Sequence, residues 1–157
     1  MSNPPTTSDP VVEKLRAAFA GVELREVDDG IPTLVVPHAS LVDVAQYLKS
    51  TPGLEFDYLA SVTAIDYLDR IDLIYQMRSL PLRHDFALRV EVDRDDSVAP
   101  SVTGVWRAAD YQEREIYDLM GVTFTGHPNL KRILLYDEFD GHPLRKDWRL
   151  PAEPRAK

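Results

Sequence analysis

The chain has 157 residues, of which 44% are hydrophobic and 28% charged, with 26 acidic side chains against 18 basic ones. This length fits one domain with a sizeable core. The chain has no cysteine, which excludes disulfides, thiol nucleophiles and cysteine-ligated metal clusters. The net charge of −8 argues against a nucleic-acid partner. No apolar run approaches the ~20 residues of a membrane-spanning helix, and no signal-peptide pattern is present, so we expect a cytoplasmic protein.

The first quarter of the chain predicts two helices separated by a hairpin. Residues 1–8 lack hydrophobic periodicity and are predicted to be a disordered leader. A helix follows, with Asp9 as its cap. Two short strands, Leu24–Val27 and Thr33–Val36, flank a turn signal. Ser40 then begins a second helix, with a spacing close to that of a capping box.

The middle of the chain predicts a sheet. Phe56–Leu68 is rich in β-branched and aromatic residues, and apolar residues occupy every second position in Ile71–Met77 and Phe86–Asp93. The short linkers make these strands antiparallel neighbours. We therefore predict a two-layer α+β domain, with a mixed, mainly antiparallel sheet of about five strands and helices on one face.

A third helix is predicted from the spacing of charged and apolar residues after a polar loop. Asp110 and Glu113 have capping-box spacing, and Gly121 ends the helix. Arg114 and Asp118 lie four residues apart, and we interpret them as an ordinary exposed ion pair within the helix. These charges are expected to form a solvated face.

The last part of the chain changes in character. Residues 122–157 hold four prolines and no sustained hydrophobic period, so they cannot build a core of their own. They either drape over the preceding domain or lie on a partner. The predicted organisation is thus a leader at 1–8, an α+β domain at 9–121 and an extended partner-binding tail at 122–157.

The pentapeptide Phe-x-Gly-His-Pro occurs twice, at Phe124–Pro128 and Phe139–Pro143. One interpretation is a metal site with His127 and His142 as ligands, in a stand-alone metal-dependent hydrolase. The carboxylates that could complete such a site are Asp137, Glu138 and Asp140. The other interpretation is a pair of turns in which glycine supplies an unusual φ and histidine caps backbone groups. We favour the turns.

No other pattern in the sequence predicts an active site. Glycine-rich phosphate loops and the nucleophile elbow of hydrolases are absent from the sequence. Glu113 and Glu115 lie about 200° apart on a helix and cannot share a proton. Arg145 and Lys146 are interpreted as a solvated or partner-facing basic patch. These observations favour an interaction subunit.

An ordered series of motifs spans residues 100–147. It comprises Pro-Ser-Val-Thr at 100–103, Trp106, Glu-Arg-Glu-x-Tyr-Asp-Leu-x-Gly-Val-x-Phe-x-Gly-His-Pro at 113–128, Leu-x-Arg-Ile-Leu at 130–134 and Gly-His-Pro-Leu-Arg-Lys-Asp at 141–147. This series resembles the signature of the 30-kDa subunit of respiratory complex I, the C subunit of the bacterial proton-translocating NADH:quinone oxidoreductase. The residues that the resemblance marks as family signature and partner interface, called the signature residues below, are Glu113, Arg114, Glu115, Tyr117, Asp118, Gly121, Gly126, His127, Pro128, Arg132, Gly141, His142, Pro143, Arg145, Lys146 and Asp147.

The resemblance implies a non-catalytic structural and assembly subunit of the peripheral arm, which supports electron transfer from NADH to quinone coupled to proton pumping. Its implied partners are the 49-kDa subunit, which helps to form the quinone pocket, and the iron–sulfur subunits. No catalytic, cofactor-binding or metal-binding residue is expected in this chain, whereas the whole complex uses FMN, iron–sulfur clusters, NADH and quinone. The implied location is the cytoplasmic face of the cell membrane, with membrane association only through the complex.

Overall fold

The computed structural model describes residues 9–28 and 30–151, so the predicted leader at 1–8 and the end of the predicted tail, 152–157, lie outside it. Three α-helices and seven β-strands are present among the described residues. In chain order they are α1 (Pro10–Ala18), β1 (Arg25–Asp28), β2 (Pro32–Val35), α2 (Leu41–Ser50), β3 (Tyr58–Asp66), β4 (Arg70–Ser79), β5 (His84–Asp93), β6 (Val98–Pro100), α3 (Ala109–Met120) and β7 (Thr123–Thr125).

Five strands form one mixed sheet in the order β1-β2-β5-β4-β3. β2 and β5 are parallel, and the other neighbouring pairs are antiparallel. The predicted fold class is therefore confirmed, including the hairpin of β1 and β2 and the antiparallel order of β3, β4 and β5. A separate parallel pair, β6 with β7, was not predicted from the sequence.

The core lies between this sheet and the helices. In β4, the alternating residues Ile71, Leu73, Tyr75 and Met77 are all at most 2% exposed. They are paired across the ladder with the apolar positions of β5, so both strands point the same face into the core. The buried residues of the first two helices complete it: they are Val11, Val12 and Leu15 of α1 and Leu41, Val44, Ala45 and Leu48 of α2.

The predicted helix caps are correct at α1 and wrong at the other two helices. The N–H of Val11 donates to Asp9 Oδ1 at 2.9 Å, as predicted. Ser40 makes no capping hydrogen bond, because a 3₁₀ turn at His38–Ser40 already leads into α2. α3 begins at Ala109, and its N-cap position makes no side-chain bond. Glu113 caps nothing there because it is drawn into the interior by the residues just before the helix.

α3 lies along β3, which is an edge strand of the sheet. The side-chain oxygen of Gln112 accepts the N–H of Val62 at 2.7 Å, and the indole N–H of Trp106 donates to the carbonyl of Phe56 at 2.9 Å. These contacts cover an edge that would otherwise present unpaired backbone groups. α3 ends at Gly121, which has φ 75°, as the sequence predicts.

The segment after α3 does not stand away from the domain. Val122 and Phe124 are 0% and 2% exposed and belong to the hydrophobic core. The packed region thus continues past the predicted boundary at residue 121. From residue 126 to residue 151 the chain has no helix or strand. It bonds to α3 over most of this length and to Asp66 at the end of β3 near its close.

Candidate partner interface: the third helix and the tail

Glu113 lies at the buried start of this region. Its side chain is fully buried, and it accepts hydrogen bonds from the N–H of Val102 at 2.8 Å and the hydroxyl of Ser101 at 2.6 Å. Burial raises the pKa of Glu113, and these two hydrogen bonds oppose that rise. The solvated face predicted for this helix is therefore wrong at Glu113, which instead fixes the 100–103 loop against α3.

Asp118 fixes the tail to α3. It is fully buried, and its Oδ2 accepts the backbone N–H groups of Ile133, Leu134 and Leu135 at 3.1, 2.8 and 2.9 Å. Its Oδ1 accepts the guanidinium of Arg132 at 2.8 Å. Burial alone would raise the pKa of Asp118, but these backbone and guanidinium hydrogen bonds outweigh it and lower the pKa.

The predicted intrahelical pair of Arg114 with Asp118 is wrong. Arg114 is 9% exposed and donates to the carbonyl oxygens of Lys131 and Arg132 at 3.1 and 3.2 Å. Arg132 in turn bridges Asp118 to the carbonyls of Phe139 and Gly141. Both arginines thus hold the backbone of the tail, because its irregular path leaves carbonyl groups without ladder partners.

The two Gly-His-Pro turns close onto opposite ends of α3. His127 Nε2 lies 3.0 Å from the carbonyl oxygen of Asp110 in the first turn, and its Nδ1 accepts the N–H of Asn129. His142 Nδ1 lies 3.0 Å from the carbonyl oxygen of Asp118 in the last turn. The ring of His142 covers Gly121, where an added Cβ would come within 2.6 Å of it.

These contacts disfavour the metal interpretation. Three of the four ring nitrogens of the two histidines face backbone groups of this chain. No group of three or more potential metal-ligating side chains is found among the residues that the structure describes. The acidic residues proposed from sequence, Asp137, Glu138 and Asp140, are exposed and do not converge with both histidines on one point.

A second fastening joins the end of the tail to the sheet. Arg94, in the loop after β5, bridges Asp66 at the end of β3 and Asp147 in the tail, with contacts of 2.8 Å to each. Asp66 also accepts the backbone N–H of Lys146 at 2.9 Å. The Arg94 hydrogen bond holds the pKa of Asp66 well below its ordinary value and lowers the pKa of Asp147.

Arg145 completes this fastening and does not form an outward basic patch. Its guanidinium donates to the carbonyl oxygens of Met120 and Arg94 at 2.6 and 3.1 Å. Lys146 is exposed, as the sequence interpretation requires. The basic character of the tail sequence thus comes partly from arginines that are turned toward the protein.

Four large apolar side chains of the tail have the opposite orientation. Leu134, Tyr136, Leu144 and Leu150 are 63%, 66%, 59% and 80% exposed. The tail therefore bonds to its own domain mainly through polar groups and leaves these four apolar side chains exposed to solvent. Several large exposed apolar side chains in one segment favour an interface with another protein.

The signature residues divide by their position in this arrangement. Glu113, Arg114 and Asp118 are buried, and Arg132, His142 and Arg145 are half-buried and bonded to the domain. Glu115, Lys146 and Asp147 are exposed. Sequence reasoning missed Asp66 and Arg94, since they lie 81 and 53 residues before Asp147 and no local pattern connects them to it.

The fold and this network define a two-layer α+β domain with a C-terminal segment fastened onto its third helix. The family model described as respiratory-chain NADH dehydrogenase, 30 Kd subunit, matches residues 34–154. The chain belongs to this family, which confirms the resemblance drawn from residues 100–147. The hydrolase alternative is not supported.

Individual relatives agree with this assignment. The C subunit of the NADH-quinone oxidoreductase of Moorella thermoacetica is 46% identical over 147 residues, which is 92% of this chain and 97% of the relative. The protein of the same name from Roseiflexus sp. is 41% identical over 150 residues, covering 93% of this chain and 86% of the relative.

Solved structures show the same fold. A structure described as the trypsin-resistant fragment (1-134) of Nqo5 has a TM-score of 0.62 at 32% identity, covering 76% of this chain and 96% of that one. A chain of the membrane-bound sulfane sulfur reductase, an archaeal respiratory membrane complex, has a TM-score of 0.75 at 22% identity, covering 89% of this chain and 84% of that one. The second likeness concerns the fold alone. Within residues 9–28 and 30–151, none of the helices has the length and apolarity needed to cross a bilayer.

Proposed function

We propose that this chain is a structural and assembly subunit of the peripheral arm of a proton-translocating NADH:quinone oxidoreductase. It performs no catalytic step of its own in this proposal. Its partners are the 49-kDa subunit and the iron–sulfur subunits, which with the other subunits hold the FMN, the clusters and the sites for NADH and quinone. The chain lies on the cytoplasmic face of the membrane and reaches the membrane only through the complex.

The observation that carries this proposal is the use that the chain makes of its signature residues. A catalytic role would need reactive groups directed into an open site. Asp118 accepts four hydrogen bonds from the tail, Glu113 accepts two from the 100–103 loop, and the side chain of His127 is fully buried against α3. These groups are engaged in holding the chain's own backbone, which supports a role in shaping a surface.

The surface shaped in this way supports the choice of partner class. The inward bonds of Arg132 and Arg145 hold the tail in one path, and that path leaves Leu134 and Leu144 outside. A preorganised apolar surface lowers the ordering cost of association with another protein. We infer that the tail and α3 together contact the neighbouring subunits.

The test is co-purification from the natural membrane. A tagged chain is expressed in place of the native copy, membranes are extracted with mild detergent, and the eluate is analysed for flavin, iron–sulfur clusters and subunit masses. We expect the chain to co-purify with cluster-bearing and flavin-bearing subunits at equal stoichiometry. Recovery of the chain only as a soluble monomer would contradict the proposal.

A matched pair of variants tests the surface itself. Leu134→Ser with Leu144→Ser changes the exposed side of the tail, whereas Leu80→Ser with Leu82→Ser changes two leucines exposed to similar extents in the turn after β4. We expect the tail pair to reduce recovery of the complex and the turn pair to leave it unchanged. Both pairs should melt at the wild-type temperature, since all four side chains are about half exposed or more.

A further inference from the structure

The exposed side of the tail is divided into two halves of opposite charge. The acidic half, residues 134–140, carries Asp137, Glu138 and Asp140 beside Leu134 and Tyr136. The basic half, residues 144–150, carries the exposed cations Lys146 and Arg149 beside Leu144 and Leu150. Each half therefore combines two large exposed apolar side chains with charges of one predominant sign.

These charges are available to a partner. Asp137, Glu138, Asp140, Lys146 and Arg149 are all exposed, and none makes an ion pair with any residue that the structure describes. Among the described residues, the guanidinium of Arg149 donates hydrogen bonds to the carbonyl oxygens of Lys146 and Trp148 alone. Three other charged residues of the tail, Arg132, Arg145 and Asp147, are bonded to the domain instead. The tail thus has one set of charges that fastens it to the domain and another that is free to contact a partner.

A row of aromatic rings joins the two halves. Tyr136 packs edge-on against Phe139 with 5.5 Å between ring centroids, and Phe139 stacks on Trp148 at 5.8 Å. The indole N–H of Trp148 lies 3.3 Å from the carbonyl oxygen of Asp140. Because one aromatic row spans both halves, their relative position is set before any partner binds.

A surface hollow lies where the halves meet. Its volume is about 370 Å³, and Asp140, Trp148, Arg149 and Pro151 are among the residues that line it. Charges of both signs therefore line it, Asp140 and Asp147 with Arg145 and Arg149, beside the aromatic ring of Trp148. Hollows of this kind at the centre of an interface accept a single large side chain from the partner and carry much of the binding energy.

We propose that the tail recognises a protein surface of matching polarity, with an apolar centre, a basic patch facing the acidic half and an acidic patch facing the basic half. This inference rests on the proposed function and specifies the chemistry of the surface that the neighbouring protein presents. Apolar contact and the opposed charges together supply the affinity, and the charges also fix the orientation, since a partner turned end for end would place like charges together. The net charge of the tail is irrelevant to this mechanism, whereas the order of its charges is essential.

The experiment reverses the polarity of the tail without changing its net charge. The polarity-reversed variant carries Asp137→Lys, Glu138→Lys, Lys146→Glu and Arg149→Glu, replaces the native chain in its host, and is measured by its recovery in detergent-extracted complex. We expect recovery to fall at least about tenfold, because both halves then meet like charges. The control is Glu13→Lys with Lys14→Glu, which exchanges two exposed charges on α1 and should leave recovery unchanged.

A second measurement needs no variant. Exposed charge pairs are screened by salt, so wild-type chain should be released from the extracted complex as KCl rises from about 0.1 to about 1 M. Normal recovery of the polarity-reversed variant, or no release of wild-type chain at high salt, would overturn the inference. If charge reversal has no effect but Leu134→Ser with Leu144→Ser still blocks assembly, the proposed function stands and the partner recognises only the apolar side chains of the tail. If the wild-type chain never enters a complex, the proposed function fails, and this inference fails with it.

Discussion

Replacing Asp118 with asparagine should loosen the tail from α3. The carboxylate is fully buried and accepts three backbone N–H groups on one oxygen and the Arg132 guanidinium on the other. Asparagine has the same shape but only one acceptor oxygen, so in either orientation its NH₂ group faces a donor. Arg132 is also left without its counter-ion. Removing one member of a buried ion pair costs about 3–5 kcal/mol, and we expect Asp118→Asn to lower the free energy of unfolding by that amount.

Urea unfolding followed by circular dichroism measures this change, and hydrogen exchange locates it. The amides of Ile133, Leu134 and Leu135 should lose protection in the variant, while those of β4 lose it only with global unfolding. Glu115→Gln is the matched control, since Glu115 is exposed on the same helix and should change stability by less than about 0.5 kcal/mol. A cost below about 1 kcal/mol for Asp118→Asn, with full protection of the three amides, would refute this account of the tail.

Three further predictions concern the contact of the tail with Asp66, the buried hydroxyl of Tyr75 and the dependence of stability on pH. Arg94→Met should raise the hydrogen-exchange rate of the Lys146 amide at least about tenfold, because Asp66 loses the guanidinium that positions it as acceptor. Tyr75→Phe should stabilise the protein by about 1 kcal/mol in urea unfolding, since the Tyr75 hydroxyl is buried and has no hydrogen-bond partner among the described residues. Because the pKa values of Asp66 and Asp118 are lowered in the folded protein, both carboxylates stabilise the fold at pH values above their ordinary pKa of 3.8. This stabilisation is lost as the pH falls from 3.8 through their lowered pKa values. Asp118→Asn should therefore flatten the decline in stability measured between about pH 5 and pH 2.

The sheet could be predicted because the local pattern of apolar and polar residues shows which side of each strand is buried. In β4 and β5 every second residue is apolar, and that alternation directly reflects a strand with one face in the core. The same holds for α2, in which the apolar residues recur at helical spacing and form the buried face: Leu41, Val44, Ala45 and Leu48. The pair of β6 and β7 has three residues in each strand, too few to give an alternation, and their pairing joins segments about 25 residues apart.

The polar network could not be predicted because its partners are distant in sequence. Arg114 and Asp118 have the spacing of an ordinary intrahelical pair, and nothing local indicates that each is instead used by the segment at 131–135. The capping-box spacing of Asp110 and Glu113 misled for the same reason, because the 100–103 loop competes successfully for Glu113. The repeated Gly-His-Pro turns did carry a readable signal, since a histidine in such a turn can cap backbone groups. Which backbone it caps, at the two ends of α3, required the fold.

The most direct test of the central claim is turnover per assembled complex in an Arg114→Met variant. Arg114 holds the tail through the backbone carbonyls of Lys131 and Arg132. Complex is purified from wild-type and variant cells, quantified by its flavin content, and assayed for NADH-dependent quinone reduction. We predict that the amount of complex falls while turnover per flavin stays near the wild-type value. Normal assembly with turnover reduced about a hundredfold would place this region in the chemistry and contradict the structural role.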